Sequence, residues 1–221
     1  VSEFGEDHIV GYDPILIDKI EIIKGPGTLL YGNNGFAGVV NIINPLIAVD
    51  KPLFDENIQL GFGYKTSAGE LGTALKLSKS VDNFTIRGSG SLVSAGPYDL
   101  ANVSTKQANS SKFMTSGGVG ITYNDGQNHI GVSLDKLEAV YQNPGAEGEE
   151  NMTSLNPTRN TINFDSSLAL DYLIFEKFNL EGTVSEYNHA ERTGEGNNHN
   201  ITFFHDIYEI KTSLNHKSLF N

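Results

Sequence analysis

From residue 58 onward the chain alternates apolar and polar positions, run after run. Ile58, Leu60, Phe62 and Tyr64 interleave with Gln59, Gly61, Gly63 and Lys65. Successive strand side chains point to opposite faces, so this pattern predicts a sheet with two unlike surfaces. Leu71, Leu75 and Leu77 repeat it, as do Phe84, Ile86 and Leu92, then Val119, Ile121 and Tyr123, then Ile130, Val132 and Leu134. Ile162, Phe164, Leu168, Leu170 and Tyr172 follow, then Phe178, Leu180 and Val184, and last Phe204, Tyr208, Ile210 and Leu214. The prediction is eight amphipathic strands with no helical period among them. Two shorter runs, Asp18 to Lys24 and Val39 to Asn44, precede a change of character at about Pro52 and also read as strands.

The connectors sort by length. After a first short link at Ser67-Ala68-Gly69, tight turns are expected at Ser80 to Asn83, Asn124 to Gln127 and Phe175 to Lys177. Long links are expected at about Ala95 to Lys112, Gln142 to Arg159 and Ala190 to Asn200. Short turns on one side and long loops on the other are the habit of outer-membrane barrels. Aromatic residues at strand ends, Tyr64, Tyr123, Tyr141, Tyr172 and Tyr187, point the same way. Alternation alone fits a soluble β-sandwich equally well.

Composition narrows the choice. There is no Cys, which excludes disulfides and thiolate metal sites, and the net charge of −12 argues against nucleic acid as a partner. No stretch approaches the roughly 20 apolar residues of a membrane helix, whereas a transmembrane strand needs only about 9 to 11. Val1-Ser2-Glu3-Phe4 has neither a basic start nor an apolar run, so no signal peptide is read there and the chain reads as a mature or excised piece.

The stretch KGPGTLLYGNNGFAGVVNIINP, Lys24 to Pro45, sets glycines between two apolar runs. Lys24-Gly25-Pro26-Gly27 reads as a turn after a strand, Thr28 to Tyr31 as a single helical turn with Thr28 as its cap, and Gly32 to Gly35 as a reversal. Gly25, Gly27 and Gly32 have the wrong intervals for a phosphate loop.

The order Ile20-Glu21-Ile22-Ile23-Lys24-Gly25-Pro26, Leu30-Tyr31-Gly32, Gly38-Val39-Val40-Asn41-Ile42-Ile43 closely resembles the phrase that closes the plug domain of TonB-dependent outer-membrane receptors. Ala37 stands where that family usually has Gly. Asp7-His8 ahead of Asp13-Pro14-Ile15-Leu16-Ile17-Asp18-Lys19-Ile20-Glu21 is similar to receptors of the zinc-uptake type. So are Tyr141 to Glu147, Phe175 to Leu180 and Tyr187-Asn188-His189.

The resemblance implies a mostly β fold, with the C-terminal half of a plug over residues 1–52 and the N-terminal part of a transmembrane barrel over residues 53–221. That part would be about eight antiparallel strands of a barrel of about 22. It further implies a non-enzymatic transport receptor of the bacterial outer membrane. Its partners would be the TonB energy-coupling complex, outer-membrane lipid, and a metal ion or metal chelate as ligand. Asp7 and His8 are the first candidate metal ligands, since an imidazole with a neighbouring carboxylate suits Zn²⁺. His189, Glu191, His199 and His205 gather around the last long link and are the second set. No cofactor is implied; zinc would be cargo.

Two alternatives stay open. A siderophore or haem receptor of the same family would put an apolar or aromatic plug apex where Asp7-His8 stands. A soluble β-rich adhesin or carbohydrate-binding domain would pack its apolar faces together. No G-x-S-x-G, H-E-x-x-H or cysteine nucleophile is present to suggest an enzyme.

Overall fold

The structure, a computed structural model, describes residues 16–25, 38–43, 46–50, 55–101, 104–144, 153–172, 174–193 and 199–217. Two short strands, β1 (Lys19–Lys24) and β2 (Gly38–Ile43), form an antiparallel ribbon. Eight strands follow, β3 (Glu56–Lys65), β4 (Glu70–Val81), β5 (Phe84–Ala95), β6 (Lys112–Asn124), β7 (His129–Asn143), β8 (Thr153–Tyr172), β9 (Phe175–Thr193) and β10 (His199–His216). They form one antiparallel sheet in chain order, with β3 and β10 at its edges. The described residues contain no α-helix, so every expected strand is present and the fold is nearly all β.

The turns explain the tight end. Asp82 takes a left-handed conformation at φ 53 between β4 and β5, which Asp tolerates better than most residues. Between β6 and β7 the Asp125 carboxylate accepts the backbone N–H of Gln127 at 2.9 Å and of Asn128 at 2.8 Å, and Gly126 lies at φ +94.

Three boundaries differ from expectation. β8 begins at Thr153 and β9 runs to Thr193, so the links after β7 and β9 are shorter than the sequence suggested. The alternation is masked there by Pro157, which lies inside β8. Pairing with β7 lapses between Glu138–Thr158 and Tyr141–Leu155, as expected around a residue with no N–H to donate. Phe175 to Lys177, expected as a turn, already belong to β9, where Phe175 pairs with Tyr172.

The two faces of the sheet are unlike in the sense the alternation required. One, here the outer face, carries exposed apolar side chains: Ile58 is 70 %, Leu60 82 % and Ile210 80 % exposed. The other, the inner face, carries polar side chains and receives the segment 46–50. Leu46, Ile47 and Ala48 of that segment are buried. A Cβ at Gly118 would come within 2.6 Å of Leu46 Cδ1, one at Gly120 would strike the Leu46 carbonyl, and one at Gly131 would strike Ile47 Cγ2. These three glycines form a cradle that larger residues would fill. Thr122 and Asn124 then fix the backbone: Ala48 N–H donates to Thr122 Oγ1 at 2.8 Å and Asn124 Nδ2 donates to the Val49 carbonyl at 2.7 Å. Lys76 on the inner face of β4 pairs with Asp18, just ahead of β1.

Candidate functional site

The inner face carries the polar chemistry. Thr183 Oγ1 donates to Asn163 Oδ1 at 3.0 Å, and Asn163 Nδ2 reaches Asp135 Oδ2 at 3.3 Å, with Arg159 3.6 Å from the other Asp135 oxygen. Ser167 donates to Asn179 Oδ1 at 2.6 Å, and Asn179 donates to Ser213 at 2.9 Å. Such chains satisfy side chains that the sheet brings together on one surface. They occupy the positions between the apolar residues of β7 to β10, so this part was legible as a polar face, though not as a network.

His129 opens β7 just after the turn that follows β6, where no sequence motif marks it. Its ring is buried against β8, with Nε2 2.5 Å from Asp165 Oδ1. The pair joins residues 36 positions apart, a separation that no local motif reveals.

Toward the long-loop end the inner face turns apolar. Val93, Met114, Leu137 and Ala139 form a buried cluster, and Tyr141, Leu155 and His189 are buried beyond it. Tyr141 and Tyr187 therefore do not belong to an outward aromatic girdle, contrary to expectation. Tyr141 is 6 % exposed on the inner face, and Tyr187 packs edge-on to His189 with ring centroids 6.2 Å apart. Odd-numbered residues of β7 and β9 point inward, and strand-end position alone does not reveal this. Tyr64, Tyr123 and Tyr172 do lie on the outer face and are exposed.

The histidine set is brought partly together. His189 lies opposite Pro157 on β8 and Phe203 on β10. Its Nε2 is 3.5 Å from Glu191 Oε1, and its ring lies 5.9 Å from that of Phe203. His205, exposed, lies opposite Tyr187, and so one diagonal step from His189. His199 opens β10 opposite Thr193, and its side chain is outside the described set. Among the described residues, no three His, Asp or Glu side chains are arranged to hold a metal ion. Asp7 and His8, like the turns expected from Pro26 to Gly35, lie outside the described residues.

The outer face carries a band that crosses the sheet obliquely. One line of paired residues runs Ile58, Leu77, Gly88, Val119, Leu134, Ile162, Val184 and Tyr208. On β3 the apolar run extends from Ile58 toward the long-loop end, to Tyr64; on β9 it extends from Val184 the other way, to Phe178. The next line shows the consequence: it starts at Leu60 and Leu75, crosses Gly90 and Gly117, and ends at Lys136, Asn160, Glu186 and Asp206. The apolar run has thus moved by its own length, residues 58 to 64 against 178 to 184, over the steps from β3 to β9. That is about one residue, or about 3.3 Å, per strand spacing of about 4.8 Å, a slope of roughly 35°.

No protein-family model matches the chain.

Proposed function

We propose that the chain comprises the second half of a plug and the first strands of a transmembrane β-barrel in a TonB-dependent outer-membrane receptor that takes up a divalent metal such as zinc. The observation that carries the membrane part is the oblique apolar band. Barrel strands tilt by about 35 to 45° while a bilayer is flat, so the lipid-facing residues of successive strands must step along the register. A soluble sandwich buries its apolar faces against each other. Here the exposed face is the apolar one, and the polar face receives the segment that follows the β1–β2 ribbon. Open edges are not viable in hydrocarbon, so in this reading further strands complete the barrel beyond β3 and β10.

The receptor part rests on the resemblance of Ile20 to Ile43 to a plug terminus. In this reading substrate binds between plug apex and long loops, and TonB, energised from the inner membrane, rearranges the plug so that substrate passes without any bond being made or broken. Asp7 and His8 supply metal ligands at the apex. His189, Glu191, His199 and His205 occupy the wall on the long-loop side, where carboxylates concentrate cations.

The test uses the full-length receptor refolded in detergent. Flotation with lipid vesicles comes first, followed by zinc titration of wild type and of the Asp7→Ala/His8→Ala variant. Flotation together with stoichiometric zinc that the variant loses is the expected result. Flotation without zinc binding would leave a siderophore or haem receptor as the reading. Failure to float would overturn the membrane assignment in favour of a soluble β-rich adhesin or carbohydrate-binding domain.

A further inference from the structure

Two of the contacts that hold the β1–β2 ribbon to the sheet are unequal in kind. One is the seat of segment 46–50, just after β2, where Leu46, Ile47 and Ala48 are buried and Thr122 and Asn124 bond to the backbone. Bonds so enclosed are costly to break, and salt screens them little. The other is the ion pair of Asp18 with Lys76, whose side chains stay 45 % and 20 % exposed. Pairs of that exposure are weak and yield to salt.

Asp18 belongs to the ribbon itself, since its N–H donates to the Ile43 carbonyl at 3.0 Å beside the Lys19–Ile43 rung. Its carboxylate therefore ties the ribbon's base to the wall. Lys76 faces inward between Gln59 of β3 and Ser89 of β5. On the inner face of β3, β4 and β5 the one carboxylate is Glu70, which Lys65 and Lys112 hold at 2.6 and 2.9 Å. The wall thus gives Lys76 no acid of its own, and the acid comes from the ribbon. Ile20, Ile22 and Val40 of the ribbon are exposed, so burial of these side chains adds little to its hold on the wall.

We infer that the Asp18–Lys76 pair is a releasable latch: breaking it lets the ribbon leave the wall while segment 46–50 stays seated as the fixed anchor. The latch rests on the receptor reading above, in which the plug rearranges so that substrate passes. A pull on the chain ahead of Asp18 loads the ion pair before the seat, because Asp18 precedes the ribbon and the seat follows it.

The test is electron–electron distance measurement on the full-length receptor refolded in detergent, with nitroxides on Ile22→Cys in the ribbon and Gln127→Cys in the β6–β7 turn. Both positions are exposed. In wild type the displaced distance is expected as a minor fraction. Asp18→Asn or Lys76→Gln each raise that fraction about two- to fivefold, the range of one exposed ion pair. Asp18→Lys/Lys76→Asp returns it toward wild type, and roughly 1 M salt moves wild type, but not the single variants, in the displaced direction. Protease cleavage near residue 48 stays at the wild-type rate throughout. Equal distributions in wild type and both single variants, or no recovery on charge reversal, would overturn the latch. Faster cleavage near residue 48 in the single variants would overturn the fixed anchor. Flotation with vesicles is scored on the same preparations, and a chain that does not float would overturn the membrane reading on which the latch rests.

Discussion

Ala48 donates its backbone N–H to the hydroxyl of Thr122 at 2.8 Å, across 74 residues of chain. Both residues are buried, at 0 % and 1 % exposure, so neither group can exchange the bond for bulk water. Thr122→Val keeps the shape and removes the acceptor. The expected cost is about 1 to 3 kcal/mol, the penalty for an unsatisfied buried donor. Thr122→Ser retains the bond and is expected to cost less. Urea unfolding of the refolded receptor distinguishes the two, and equal stability of wild type and Thr122→Val would show that the segment 46–50 is not held here.

The glycine cradle gives a sharper contrast. Gly131→Ala would strike the Ile47 side chain, whereas Gly120→Ala would strike the Leu46 main chain. Each is expected to destabilise by about 1 to 3 kcal/mol through overpacking. Ile47→Ala should relieve part of the first, with Thr122 Oγ1 still 3.0 Å from the new Cβ. Leu46→Ala should not relieve the second. Protease cleavage near residue 48 reports expulsion of the segment.

Leu60 and Asn160 lie on one line of paired residues, yet they fall inside and outside the oblique band. Arginine at Leu60 is expected to cost about 2 to 4 kcal/mol in lipid, and arginine at Asn160 no more than about 1 kcal/mol. Equilibrium unfolding from lipid vesicles measures both. Equal costs would remove the band as evidence of tilt.

The Asp125 turn is expected to respond to acid. Bonds from the Asn128 backbone, the Asn128 side chain and the Gln127 backbone hold the Asp125 carboxyl below its ordinary range. A folded-state value below the unfolded one means that the unfolded chain binds more protons, so the contribution is complete above the ordinary carboxylate range. It is lost as pH falls through that range toward the lowered value. Asp125→Asn should flatten this part of the stability profile, from the ordinary carboxylate range downward. An unchanged profile would show that the turn does not depend on the carboxylate.

The strands were legible because alternation is local: Leu60 and Phe62 declare their face within three residues. Ends were less legible where a residue conflicts with its neighbours. Pro157 reads as a breaker, although it sits inside β8 opposite His189. Tyr141 and Tyr187 read as girdle residues because their position along a strand is visible and their facing is not.

By itself the sequence determined ten strands, their two-faced character and the polar or apolar identity of each face, all of which follow from a period of two. It also supplied the resemblance on which the receptor proposal rests. Only the tertiary structure decided the register, and register depends on pairs that are remote in sequence. From register come the slope of the apolar band, the meeting of Glu186 with Asp206 and the pairing of His129 with Asp165. The use of Gly118, Gly120 and Gly131 as a seat for Leu46 and Ile47 was equally hidden, because a glycine on a polar face shows what is missing and not what fills the space.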